Sequence, residues 1–163
     1  MTTVQFIESL GEELKKVTGH ISLMSPLGKE TKINIFQFGI PVEKTKEEKK
    51  EKTKEEKKEK FPYILIDLQD GKIQGDKGEY KVGVHLLIGI YDDGTENQGK
   101  KWVLNIINDI CERFLKDPIL DGNYYASDEI LWVIDEENEY PYHYGAMDLV
   151  FNIPVYRKED KYA

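Results

Sequence analysis

Residues 81–115 read KVGVHLLIGIYDDGTENQGKKWVLNIINDICERFL, and the change of period inside this stretch decides the fold class. In 81–91, Val82, Val84, Leu86, Ile88 and Ile90 occupy alternate positions, and strand side chains alternate between two faces. Those residues make one apolar face. Lys81, Gly83, His85, Leu87, Gly89 and Tyr91 make the other, which is at best half buried. Asp92-Asp93-Gly94 supplies a turn. From Gly99 to Leu115 the apolar residues Val103, Ile106, Ile107, Ile110 and Phe114 recur at helical spacing, and Pro118 ends the pattern. A one-faced strand followed by a one-striped helix predicts a helix laid on a sheet.

Working outward, Ile7, Leu10, Leu14 and Val17 draw a second helical stripe, with Thr2 or Thr3 to cap its start and Gly19 suited to its end. Ile33–Ile40, closed by Pro41, and Phe61–Leu68, stopped at Gln69-Asp70-Gly71, read as strands. Ile130, Trp132 and Ile134 alternate in EILWVIDEE. The last strand spans Met147–Tyr156, with Met147, Leu149, Phe151, Ile153 and Val155 on one face; Pro154, on the opposite phase, marks an edge or a strand end. The expected order is α-β-β-β-α-β-β. Strands that follow one another closely can be joined by hairpins, so the expected class is α+β, a mainly antiparallel sheet packed by two helices.

The run EKTKEEKKEKTKEEKKEK at 43–60 contains no apolar side chain and repeats Glu43–Lys50 as Glu51–Lys58. It cannot add to a core. Strands flank it on both sides, so it is expected as a solvated insertion within a single domain, 1–163. Helical neighbours such as Glu48 with Lys52 contribute about 0.2–0.5 kcal/mol each, offset by like pairs such as Glu43 with Glu47, so partial helicity is expected.

The chain carries 23 Lys+Arg against 31 Asp+Glu, a net charge of −8. Nine Lys and seven Glu lie in the run, leaving the remainder at −10. So acidic a body repels phosphate backbones and anionic lipid, so neither nucleic acid nor membrane is expected as the main partner. Cys111 is the single cysteine, which excludes an internal disulfide and a cysteine-based zinc site. The start, MTTVQFIESLGEEL, lacks the pattern of a secretory signal, and an intracellular protein is expected.

Candidate chemistry is sparse. His20, His85 and His143 lie in three separate elements without metal-ligand spacing, and Cys111 at the edge of the helical stripe reads as a small buried hydrophobe. Asp92-Asp93-Gly94-Thr95-Glu96-Asn97 lacks the ligand spacing of a calcium loop and reads as a solvated turn. Asp135-Glu136-Glu137 with Glu139 reads as an acidic strand end whose consecutive side chains diverge. Neither a phosphate-binding glycine loop nor a nucleophile elbow occurs, so no enzyme, cofactor or metal is expected. If the chain were a small cytosolic enzyme, His85, Asp92 and Asp93 would be its candidates. Tyr140-Pro141-Tyr142-His143-Tyr144 places three tyrosines at alternate positions, suited either to covering the core or to a protein–protein contact.

Three segments acquire meaning together: FPYILIDLQDG at 61–71, VGVHLLIGIYDDGTENQGKKWVLNIINDICERFL at 82–115, and WVIDEENEYPYHYGAMDLVFNIP at 132–154. Their order resembles the tail terminator (tail completion) proteins of long-tailed phages and prophages of Gram-positive bacteria. The matching positions are Pro62-Tyr63, Ile88 to Asp92, Val103-Leu104-Asn105-Ile106 with Ile110, and Trp132 through Pro154. Lys100-Lys101-Trp102 departs from the family's pattern at the helix start. The resemblance implies a structural subunit of the virion tail, assembled in the host cytoplasm. It would form a ring, usually a hexamer, on the head-proximal end of the tail tube. It would stop polymerisation there and present a surface to the neck. Its partners would be copies of itself, the tail-tube protein and a neck or head-completion protein. Asp92, Asp93, Tyr140, Tyr142 and Tyr144 are the candidate contact residues. A head–tail connector or minor capsid protein is the neighbouring expectation.

Overall fold

A computed structural model describes residues 2–40, 60–75, 78–137 and 139–155. The elements run α1 (Thr3–Val17), β1 (Ser22–Met24), β2 (Glu30–Lys32), β3 (Asn34–Gln37), β4 (Tyr63–Gln74), β5 (Glu79–Tyr91), α2 (Gln98–Lys116), β6 (Ile119–Leu120), β7 (Tyr124–Ala126), β8 (Leu131–Ile134) and β9 (Tyr142–Asn152). The class is α+β, with a mostly antiparallel sheet and two helices among the described residues. Apart from Lys60, the charged insertion at 43–60 lies outside the described residues, as does Tyr156, the expected end of the last strand.

The main sheet has the order β3-β4-β5-β9-β7-β6, with β8 also paired to β9. The alternation at 82–90 does what its period predicts. Val82, Val84, Leu86, Ile88 and Ile90 are all buried, and the α2 residues Val103, Ile106, Ile107, Ile110 and Phe114 share their core. Helix α1 adds Phe6, Ile7, Leu10 and Leu14 to the same cluster. Phe151 is its aromatic hub, with ring centroids 4.9 Å from Phe6 and 5.3 Å from Phe114. Burying each such side chain stabilises the fold by about 1.5–3 kcal/mol.

Both ends of α1 are fixed by side chains. The Thr2 hydroxyl accepts from the Gln5 N–H at 3.1 Å while Gln5 Oε1 accepts from the Thr2 N–H at 2.8 Å, a reciprocal capping box. At the other end the Thr18 hydroxyl donates to the Leu14 carbonyl at 2.8 Å, and the Gly19 N–H donates to the Lys16 carbonyl.

Several expectations are corrected. Strand β3 pairs parallel to β4, Asn34 with Tyr63 through Gln37 with Ile66, so 38–62 is a crossover and not a hairpin loop. Strand β4 does not stop at Gln69-Asp70-Gly71; it passes a bulge between Leu68 and Asp70 and runs on to Gln74. Ser22–Lys32 folds into a separate β1–β2 hairpin, and 119–126 contains the short strands β6 and β7, neither of which is in the expected order. Strand β9 begins at Tyr142, so two of the three tyrosines lie inside a strand, and it ends at Asn152, with Pro154 beyond it. Among the described residues the order is accordingly α-β-β-β-β-β-α-β-β-β-β.

Both helices lie on one face of the sheet. A Cβ on Gly145 would meet Val103 of α2 at 2.5 Å, and one on Gly11 of α1 would meet the Gln37 side chain at 2.6 Å. The other face, called the open face below, carries the alternate residues of every strand.

Candidate functional site

Strand register builds the open face in rows. The middle row takes one residue from each of five strands: Phe36, Leu65, Leu87, Ala146 and Val133 are successive cross-strand partners. Every member is apolar. The first four are half buried, and Val133 at the edge is 62% exposed. Strand β8 exposes further apolar surface at this edge, Leu131 (58% exposed) on the open face and Trp132 (49% exposed) on the helix side, opposite Met147. The expected alternation of Ile130, Trp132 and Ile134 therefore holds only in part. Ile130 and Ile134 pack on the core, but Trp132 stays half in solvent because β8 has β9 as a neighbour on one side.

The row on one side is polar and acidic: Asp67, His85 and Asp148 are cross-strand partners, with Asp70 beside Gly83 one step further on. His85 Nδ1 lies 2.5 Å from Asp148 Oδ1, which gives the histidine a local carboxylate partner. The row on the other side is aromatic. Tyr63 and Tyr144 flank Gly89 there, and Phe61 packs over them with centroids 5.1 Å from Tyr63, 4.7 Å from Tyr142 and 6.0 Å from Tyr144. Tyr91 lies 5.8 Å from Tyr142. Aromatic pairs of this geometry contribute about 0.5–1.5 kcal/mol beyond area burial. Burial, then the neighbouring Tyr63, Glu139, Tyr142 and Asp135, push the Tyr144 hydroxyl up to about 12.

The five candidate contact residues meet at this aromatic end. The Tyr140 hydroxyl donates to the Asp93 carbonyl, the Tyr91 hydroxyl donates to Asp93 Oδ2 at 3.3 Å, and the Asp92 N–H donates to the Pro141 carbonyl at 2.9 Å. Asp92 Oδ1 accepts the Gly94 N–H at 3.0 Å and residues 93–97 are exposed, as expected of a solvated turn, but Asp92 Oδ2 is buried without a hydrogen-bond partner. Asn97 then enters α2 with a left-handed φ of 57°. Tyr142 and Tyr144 are half buried in the aromatic row, whereas Tyr140 is 53% exposed in the turn. Sequence reasoning missed Phe61, Tyr63 and Tyr91 as members of this group. The signal was an aromatic residue at the end of each of two strands.

The three residues nominated for catalysis are not brought together. His85 precedes Asp92 by seven positions along extended chain, about 23 Å at strand rise, and bonds Asp148 instead. His143 lies on the helix side, its Nε2 3.3 Å from the Asp92 carbonyl, and His20 pairs with Asp109 at 3.2 Å. Burial raises the Cys111 thiol above its ordinary range, in keeping with its packing against the core. After β8 the alternate residues Asp135, Glu137 and Glu139 gather their carboxylate oxygens within 4.8 Å of one another. The divergence expected of this stretch concerned consecutive residues, and the grouping does not contradict it.

Among the described residues, no helix is long and apolar enough to cross a membrane. No family model matches the chain, and no curated protein matches it.

Proposed function

We propose that the protein is a phage tail terminator: a subunit that closes into a ring on the head-proximal end of the tail tube, stops its growth and offers a surface to the neck. The observation that carries this reading is convergence. The segments that resemble the family are far apart in sequence, yet Phe61-Pro62-Tyr63, Tyr91-Asp92 and Tyr140–Tyr144 meet in one aromatic assembly at one end of the sheet. Chance likeness of short apolar strands gives no reason for those motifs to share a location.

The remaining surface suits assembly. An apolar row crosses the open face, and Leu131, Trp132 and Val133 are exposed at an edge strand. Exposed apolar surface that is contiguous, and not scattered singly, marks contact surfaces. A ring requires two different surfaces per subunit that fit each other head to tail.

The test is electron microscopy of particles from an induced host that lacks this gene. Overlong tails without heads are expected, because tube growth has lost its stop. Normal-length tails joined to heads would overturn the reading. Normal-length tails lying free would overturn it in favour of a connector at the neck.

A further inference from the structure

We infer that the two edges of the main sheet pair with each other between copies: β8 of one subunit adds to β3 of the next, and the sheet continues from subunit to subunit. The inference rests on the ring reading above and names the contact that closes it. Among the described residues, β3 packs mainly against β4 on one side and α1 on one face, and β8 against β9 and α2. Strand β7 pairs further along β9, at Phe151 and Asn152, so Leu131–Ile134 has no strand on its outer side.

The backbone groups at both edges are aimed outward. The Asp135 N–H donates to the Tyr144 carbonyl, so the residues in its phase bond β9, while Trp132 and Ile134 turn their N–H and C=O away from it. The Asn34 and Phe38 N–H groups donate to the Pro62 and Ile66 carbonyls, so Ile35 and Gln37 turn theirs away from β4. An exposed apolar edge without proline, lysine or bulge is a template for another strand, and Leu131–Ile134 is such an edge.

Direction, face and register select β3 as that strand. From β3 across to β8 the pairings are parallel once and then antiparallel three times, so the two edges point in opposite senses. A copy set beside the first without being turned over therefore offers its β3 antiparallel to β8. Continuing the central row by one step places Phe36 of the next copy opposite Val133. Ile35 then falls opposite Ile134 and Gln37 opposite Trp132. In that register the outward residues meet as hydrogen-bonded pairs, and the open faces of the two copies are continuous.

Charge disfavours the symmetric alternative. Two β8 strands pairing about a twofold axis would set Asp128 and Glu129 of one alongside Asp135 and Glu136 of the other, and opposed like charges destabilise a sheet. From Thr31 to Ile40 there is no carboxylate: Asp135 meets neutral Asn34, and Glu30 lies in β2, beyond the paired span. The two edges are different surfaces, so the contact is heterologous, and its repetition makes a closed ring or an open filament.

Disulfide trapping tests the contact on the full chain, in a Cys111→Ser background. Val133→Cys and Phe36→Cys proteins, mixed at high concentration and oxidised with diamide, are expected to give the mixed dimer in clear excess over either homodimer. Leu131→Cys lies two residues off the register and is expected to link to Phe36→Cys at least about 5-fold less, because a disulfide spans only a short Cα separation. A dominant homodimer of either protein, equal yields from Val133→Cys and Leu131→Cys, or no dimer would overturn the inference. Proline gives a second reading by sedimentation. Trp132→Pro removes an outward N–H and no bond to β9, so it is expected to weaken self-association at least about 10-fold, while Trp132→Val keeps most of it. Equal weakening by both would assign the contact to the indole and overturn the edge pairing; should Trp132→Pro not fold, the disulfide decides. Tail length in the gene deletion is independent of both readouts. Normal tails together with the mixed disulfide would remove the terminator role and leave the contact standing.

Discussion

The Tyr63 ring occupies the place a Gly89 Cβ would take: Gly89 is its cross-strand partner, and a Cβ there would lie 2.3 Å from a ring carbon and 2.9 Å from the Phe61 ring. The glycine is a seat for the aromatic row. On the helix face, Gly145 makes the same kind of room for Val103, with a Cβ at 2.5 Å. Overpacking of this kind typically costs about 1–3 kcal/mol. Gly89→Ala and Gly145→Ala are both expected to fall in that range in urea unfolding. Only Gly89→Ala should change the near-ultraviolet dichroism of the tyrosines, because only that residue touches them.

The aromatic row also predicts a loss of stability in alkali. Tyr144 has an ordinary value of 10.0 and is held up to about 12, first by burial and then by neighbouring phenols and carboxylates. Burial likewise raises Tyr63 and Tyr124. A raised folded value means that the neutral phenol is the stabilised form. Its contribution is complete below pH 10 and is lost as pH rises toward 12. Unfolding free energy is therefore expected to fall across that window, and Tyr144→Phe should flatten the fall. A variant that kept the full slope would remove Tyr144 as its source.

Arg113 holds the two helices to each other and to the chain that follows α2. Its Nε donates to Glu13 Oε1 at 2.5 Å, and its other nitrogens donate to the carbonyls of Asp117 and Ile119, the latter at 3.0 Å. The pair is only about one-fifth exposed, 21% and 19% for the two side chains. Removing one partner of a shielded pair strands the other, so Arg113→Ala is expected to cost about 2–4 kcal/mol. Glu13→Gln keeps an acceptor and should cost about half as much or less. Thermal unfolding of both variants checks the ranking.

How far these features can be read from sequence depends on whether they are local. The faces of β5 and α2 are local: five alternating apolar residues and one helical stripe suffice, and all ten residues are buried where the period puts them. Strand direction is not local. Ile33–Ile40 reads as a strand whichever way it pairs, so its parallel partnership with β4 had no signal in its own residues. Gln69-Asp70-Gly71 carries turn chemistry, but its pairing to Val82 and Gly83 overrides that preference through a bulge. Tyr140-Pro141 disguised the start of β9, since proline punctuates loops as readily as it precedes strands. The central row of the open face was hidden for the strongest reason. It draws one residue from each of five strands, and only their register shows that Phe36, Leu65, Leu87, Ala146 and Val133 are neighbours.

The parallel pairing of β3 with β4 makes a quantitative prediction for the duplicated charge run. A parallel connection must travel back along the strand, and such crossovers take about a dozen residues or more. Residues 38–62 supply 25 between Gln37 and Tyr63. Deleting one copy, Glu51–Lys58, leaves 17, still enough to return. Closure cost varies only as the logarithm of length, so the change in stability should be about 0.3 kcal/mol, within the error of urea unfolding. Deleting both copies, Glu43–Lys58, leaves nine, short of the dozen. That chain is expected to surrender β3, with Asn34–Gln37 released from β4 and the amide protons of this edge exchanging faster by at least about 100-fold. A hairpin between β3 and β4 would need only a few residues, so it would tolerate both deletions alike. Hydrogen exchange on the two deletion variants therefore separates the parallel crossover from the antiparallel connection that the sequence suggested.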